Sequence, residues 1–262
     1  MVEALLRDGW AQFAAQDSVA RWAQVAHKVA VSRVADPDQR AKWLQCEGTW
    51  FVGVDTLPNA PDGAVGGSGP LKGKAMDAAQ RLYGVLPLHH GQVSVTYPGY
   101  PRPRDGESDA AFRYRRNRDA AHVDGLLAVG PDRLRMLKER HAYILGLPLT
   151  DCAAGASPFV VWEGSHHIMR DMFTKALAHL PQEAWADVDL TEAYQAARRT
   201  VFDTCQRVEI AAKPGEAYLV HRFALHGVAS WAEGAEAPAD GRMIAYFRPE
   251  FQGATRDWLE LP

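Results

Sequence analysis

The chain is poor in cysteine and has no long apolar run. Cys46, Cys152 and Cys205 are the three cysteines in 262 residues, odd in number, widely spaced and without a CxxC pair. This argues against a disulfide framework or a thiolate zinc site and points to a reducing compartment. No stretch approaches the roughly 18 consecutive apolar residues of a membrane helix; even the run from Phe159 to Trp162 is closed by Glu163. The opening MVEALLRDGW carries Glu3, Arg7 and Asp8 where a secretory signal has a basic start and an unbroken apolar stretch, so a cytoplasmic location is expected. An excess of one charge is also lacking: 29 Lys and Arg face 32 Asp and Glu, a net of −3, which disfavours general nucleic-acid binding. There is no internal repeat, low-complexity tract or dividing linker, and residues 1–262 are expected to form one domain.

What is present is a change of texture along the chain. From Ala4 to about Gln45 the residues are helix formers, and Trp10, Phe13, Val19, Trp22 and Val25 recur at spacings of three and four or their sums, which predicts amphipathic helical cladding over 1–57. The Gly/Pro-rich segment 58–74 reads as a mobile loop or lid. It lacks the Gly-Lys-Ser/Thr that a phosphate loop requires. Beyond Leu86 come short β-type runs at 91–97, 120–127, 141–149, 157–164, 207–212, 216–230 and 242–250, interrupted by a helical stretch at 167–205 with capping residues at Asp189 or Thr191. The expected fold is mainly β with helical cladding, a sandwich or barrel over 86–250.

The tripeptide His122-Val123-Asp124 carries the most chemistry. On a strand, side chains two residues apart share a face, so the imidazole and the carboxylate can grip one ion. A second histidine is needed from elsewhere, and KPGEAYLVHRFALHGVAS supplies His221 and His226. Two histidines and one carboxylate on one face of an octahedral metal leave three positions open, the arrangement of non-haem Fe(II) oxygenases.

With HVDG at 122–125, LPLTDCAAGASPFVVWEGSHH at 147–167, GEAYLVHRFALHG at 215–227 and GRMIAYF at 241–247, the chain resembles the phytanoyl-CoA dioxygenase-like branch of the Fe(II)/2-oxoglutarate oxygenases over roughly residues 86–250. The resemblance implies a double-stranded β-helix, a cupin-like jelly roll, with Fe(II) held by His122, Asp124 and His226. It implies that Arg242 binds the distal carboxylate of 2-oxoglutarate, with Arg248 as its rival. The implied reaction takes dioxygen and a small organic substrate and releases succinate and carbon dioxide. Two departures from the family pattern touch the co-substrate pocket: Val228 stands where a hydroxyl residue is frequent, and the loop before Arg242 is lengthened.

Arg113, Arg115 and Arg118 precede the HxD and are candidates to meet an anionic substrate, against the reading of a solvated basic loop. Tyr97 could line the pocket, and His166 could orient substrate. Two alternatives remain beside the oxygenase: a cupin-type metal dioxygenase or isomerase that does without 2-oxoglutarate, and a non-catalytic jelly-roll binding module. The role of Arg242 separates the first from the oxygenase, and metal content separates the second.

Overall fold

The computed structural model describes residues 1–261. Its chain order is α1 (Val2–Asp8), β1 (Trp10–Phe13), α2 (Asp17–Ala35), α3 (Pro37–Trp43), β2 (Leu44–Gln45), β3 (Trp50–Phe51), α4 (Lys74–Tyr83), β4 (Gln92–Thr96), α5 (Asp109–Asn117), β5 (Leu126–Val129) and β6 (Leu134–Leu137). There follow β7 (Tyr143–Pro148), β8 (Phe159–Trp162), α6 (Ser165–Leu177), a 3-10 turn (Gln182–Asp187), α7 (Thr191–Thr204), β9 (Arg207–Ile210), β10 (Ala217–His221), β11 (His226–Val228), β12 (Arg242–Phe247) and α8 (Thr255–Glu260).

Pairing among the strands defines the architecture. The large sheet has the order β1-β10-β7-β12-β4-β3-β2 and the small one β11-β8-β9, all antiparallel. The segment around His122 adds to the edge of the small sheet through a bridge to His226. Counting β4, the His122 segment, β7, β8, β9, β10, β11 and β12 as first to eighth, the central pairings are 1-8-3-6 in one sheet and 2-7-4-5 in the other. That interleaving is the jelly roll, and the fold is a double-stranded β-helix.

Alternation along the strands sorts the core into layers. Met243, Ala245 and Phe247 of β12, with Leu145 and Leu147 of β7, face outward onto α2 and α4. Ile244 and Tyr246, with Ile144, Tyr218 and Phe159, face inward between the sheets. On the outer side of the small sheet, Val160 and Trp162 pack against α6 and α7. Helix α2 buries Val19, Trp22, Ala23, Ala26, Ala30 and Val34, one stripe at three- and four-residue spacing. Asp36 then caps α3, accepting from the Asp38 and Gln39 amides ahead of Pro37 at the first helical position.

Four expectations are revised. The 216–230 run divides into β10 and β11, which belong to different sheets. Of the 120–127 run only Leu126 and Leu127 lie in a strand, β5, which pairs with β6 in a separate hairpin. The N-terminal segment contributes β1, β2 and β3 to the large sheet as well as helices. The 58–74 segment is no lid: Val65 and Leu71 are buried, the Trp22 indole N–H donates to Gly63 O at 2.8 Å, and the segment packs on α2 outside the large sheet.

Candidate metal centre

The site forms where the HxD segment meets β11. His122 N–H donates to His226 O at 2.8 Å and His226 N–H to His122 O at 3.0 Å. Residues facing each other in such a pair place their side chains side by side; the two imidazole centroids are 4.5 Å apart. Close backbone approach requires Gly227, where a Cβ would lie 2.1 Å from Asp119 O. After Val123 the chain turns at Gly125, with φ of 84°, and swings Asp124 back toward the imidazoles. Asp124 Oδ1 is then 3.3 Å from His122 Nε2, and Oδ2 is 3.7 Å from His226 Nε2. One ligand atom from each of the three residues lies within 4.8 Å of the others, and among the described residues this is the one such trio of His, Cys, Asp or Glu.

The donor set fits a cation. His122 Nδ1 is 3.0 Å from Ala120 O, and His226 Nδ1 is 2.9 Å from Ala224 O. A carbonyl accepts only from N–H, so both Nε2 atoms are left with lone pairs directed at the carboxylate. Three electron-rich atoms facing one another are satisfied by a positive ion between them. Burial would raise the Asp124 pKa, but the charge around it, that of Arg248 foremost, outweighs burial and holds the carboxyl well below its usual range. Burial, with His122 beside it, lowers His226 to about 4, keeping the imidazole neutral and able to ligate. Phe159 stacks on the His226 ring at 5.4 Å and 14°.

Helices α5 and α7 hold this loop from behind. Val123 N–H donates to the Tyr194 hydroxyl at 3.1 Å, and the Tyr114 hydroxyl donates to Ala121 O at 2.7 Å. Arg198 donates to the Tyr114 hydroxyl at 2.9 Å and lies over both tyrosine rings. The two tyrosines thus bracket the backbone of His122. Neither has a spacing signal in the sequence, since their role exists only once α7 docks on the small sheet.

The triad opens on a cavity of about 190 Å³, with Trp50, Val52, Val54, Ile144 and Tyr246 on its walls and Arg248 at its edge. Arg248 Nη1 is 3.4 Å from Asp124 Oδ1. Arg242 lies on the same inward face of β12, buried beside Tyr218 and Tyr246, and its Nη1 has no partner. It borders a second cavity of about 220 Å³ with Thr150 and Cys152. The hydroxyl of Tyr246, on the wall of the first cavity, accepts from that of Tyr218, which lines the second, at 3.0 Å.

The other candidates lie away from the triad. Arg113 is exposed on α5, Arg115 is buried against Glu107, and Arg118 lies over the Phe202 ring at 4.6 Å. Tyr97 faces a separate cavity with Arg40 and Asp240. His166 is buried under α1, with Nε2 3.0 Å from Leu6 O. His221 is engaged at both ring nitrogens: Phe223 N–H donates to Nδ1 at 3.0 Å, and the Arg170 guanidinium lies 3.1 Å from Nε2.

No protein-family model matches the chain, and no curated protein matches its sequence. Solved structures do match its fold. The carbocyclase SnoK from nogalamycin biosynthesis, non-haem and α-ketoglutarate-dependent, superposes at a TM-score of 0.53 with 13% identity, covering 98% of this chain and 88% of SnoK. AviO1 from Streptomyces viridochromogenes Tue57 does so at 0.50 and 16%, covering 97% and 94%. EctD from S. alaskensis with bound Fe gives 0.50 and 16%, covering 95% and 75%. The epimerase SnoN, in complex with Fe3+, α-ketoglutarate and nogalamycin RO, gives 0.50 and 13%, covering 95% and 81%. This chain shares their fold. Among the described residues, no helix is long and apolar enough to cross a membrane.

Proposed function

We propose that this protein is a non-haem Fe(II)- and 2-oxoglutarate-dependent oxygenase acting on a small organic molecule. The observation that carries the reading is the convergence of His122, Asp124 and His226, with both imidazoles held by backbone carbonyls so that Nε2 faces inward. Fold neighbours that bind iron and α-ketoglutarate support the choice of cation and co-substrate. Since one of these neighbours is a carbocyclase and another an epimerase, hydroxylation is one of several oxidative outcomes the site could host.

In this reading His122, Asp124 and His226 would hold the iron, and the cavity beside them would receive co-substrate and substrate. When bound, iron with 2-oxoglutarate supplies oxidising power coupled to formation of succinate and carbon dioxide. The chain's own residues do the rest. Asp124 stays ionised at neutral pH and His226 stays neutral, so neither must lose a proton to bind metal. Trp50, Val52, Val54 and Phe159 exclude water from the reacting volume. Arg242, a buried guanidinium with an unpartnered Nη1 and flanked by two tyrosines, is the proposed anchor for the distal carboxylate of 2-oxoglutarate, reached by displacing Tyr246.

The test is anaerobic addition of Fe(II) and then 2-oxoglutarate. A weak visible charge-transfer band and substrate-stimulated succinate release are expected. Arg242→Ala should raise the 2-oxoglutarate concentration needed for the band by about tenfold or more, the worth of a charge-assisted bond. A band that forms equally well in that variant transfers the anchor to Arg248. A metal-loaded protein that never forms it supports the cupin-type reading without 2-oxoglutarate.

A further inference from the structure

The metal cavity, at about 190 Å³, is smaller than the roughly 300–1,000 Å³ typical of small-molecule sites, and a chelating five-carbon dicarboxylate would occupy much of it. Beside it lies a cleft of about 530 Å³, and Arg248 borders both spaces. The cleft wall is fastened to the metal loop: Lys138 N–H donates to Gly125 O at 2.9 Å, one residue past Asp124. Arg248 is fastened as well, its N–H donating to His89 Nε2 at 3.1 Å and its carbonyl lying 3.0 Å from His141 Nδ1. Its side chain is 18% exposed, and its Nε is buried without a partner.

We propose that this cleft is the substrate subsite of the oxygenase argued above, and that Arg248 binds a carboxylate of the substrate there while the C–H bond to be oxidised reaches past it to the triad. The inference rests on the oxygenase reading for the word substrate, but its chemistry comes from the cleft. Lys138, Arg140 and Arg248 are fixed cations on its lining, against the carboxylates of Glu139 and Glu250. Glu139 is engaged by His141 at 3.0 Å and Lys138 by Asp187 at 3.0 Å. With Lys138 paired to Asp187, two guanidinium groups stand against two glutamates, a balance that opposes a singly charged carboxylate less than a dianionic phosphate. With one Nη turned to Asp124, the planar guanidinium keeps its other Nη for a carboxylate oxygen, a charge-assisted bond.

The experiment titrates the anaerobic Fe(II) and 2-oxoglutarate complex with benzoate, 3-phenylpropionate and hexanoate, with their amides, and with inorganic phosphate. The same ligands are titrated into metal-free protein by calorimetry. Carboxylates should bind and shift the charge-transfer band, their amides should not, and phosphate should bind more weakly than the carboxylates. Arg248→Gln should weaken carboxylate binding about tenfold or more, and Arg140→Gln, remote from the triad, should weaken it less. Equal binding of amides, preference for phosphate, no response to any carboxylate, or carboxylate binding unchanged in Arg248→Gln would each overturn the subsite. If Arg248→Gln loses the 2-oxoglutarate band but keeps carboxylate binding, Arg248 is a co-substrate anchor and the subsite is likewise overturned. A wild-type complex that forms no band contradicts the oxygenase reading itself, and calorimetry on metal-free protein still decides whether the cleft selects carboxylates.

Discussion

Between the two neighbouring ligands His122 and Asp124 sits Val123, whose buried amide has the Tyr194 hydroxyl as its acceptor. Removing that hydroxyl strands an N–H in the core, at a cost of about 1–3 kcal/mol, and frees the short segment that sets the spacing of imidazole and carboxylate. Tyr194→Phe should therefore lower the denaturation midpoint and weaken Fe(II) affinity together; an unchanged affinity would show that the backbone bridge to His226 holds the loop unaided. At this scale the sequence is informative about residue type but not about partner. His122 and Asp124 are legible because side chains two residues apart on an extended segment share a face, and a later His follows a Gly-acidic strand start. Arg115 looks equally suggestive in a basic lead-in, yet it is buried against Glu107, a contact that depends on how the loop before α5 folds back.

At the scale of elements, the metal pair exists because β11 and the His122 segment are adjacent edges of the small sheet, and Gly227 permits that adjacency. A methyl group in place of its hydrogen would press on Asp119 O, a backbone atom with little room to yield. Gly227→Ala should consequently separate the two imidazoles and abolish high-affinity metal binding, with a far smaller effect on the large sheet; titration of metal by calorimetry alongside circular dichroism distinguishes this from global unfolding. The β runs that became β4, β7, β8, β9 and β12 are legible because each alternates or runs apolar between turn residues. The division of 216–230 is not, since the residues at the break, Arg222 to Leu225, are as buried as the strands on either side. Arg222 there donates to Trp258 O of α8, a bond between segments far apart in the chain. For the same reason the 58–74 segment resembles a lid in composition while its Val65 and Leu71 seal α2.

For the molecule as a whole, stability is tied to pH through histidines far from the cation site. Burial against α1 lowers His166 to about 4, from 6.5, and His221, buried beside Arg222 and His166, is held well below its ordinary value. Below about pH 6.5 the unfolded chain takes up protons that the folded chain refuses, so stability should fall as pH drops from there toward about 4, by up to about 1.4 kcal/mol per pH unit for each such group. The urea midpoint of metal-free protein should follow this slope, and His166→Gln should flatten it by one group's share; an unaltered slope would mean that His166 protonates freely in the folded state. The cation centre depends on this framework because α6 and α7, packed on the small sheet, bear the tyrosine that grips the metal loop. The most direct measurement of the central claim is anaerobic calorimetric titration of the metal-free protein with Fe(II), comparing the wild type with Asp124→Ala and His226→Ala. The account predicts a single ion per wild-type chain and loss of that binding in both variants. Wild-type protein that takes up no ion, or variants that bind as well as it does, would contradict it.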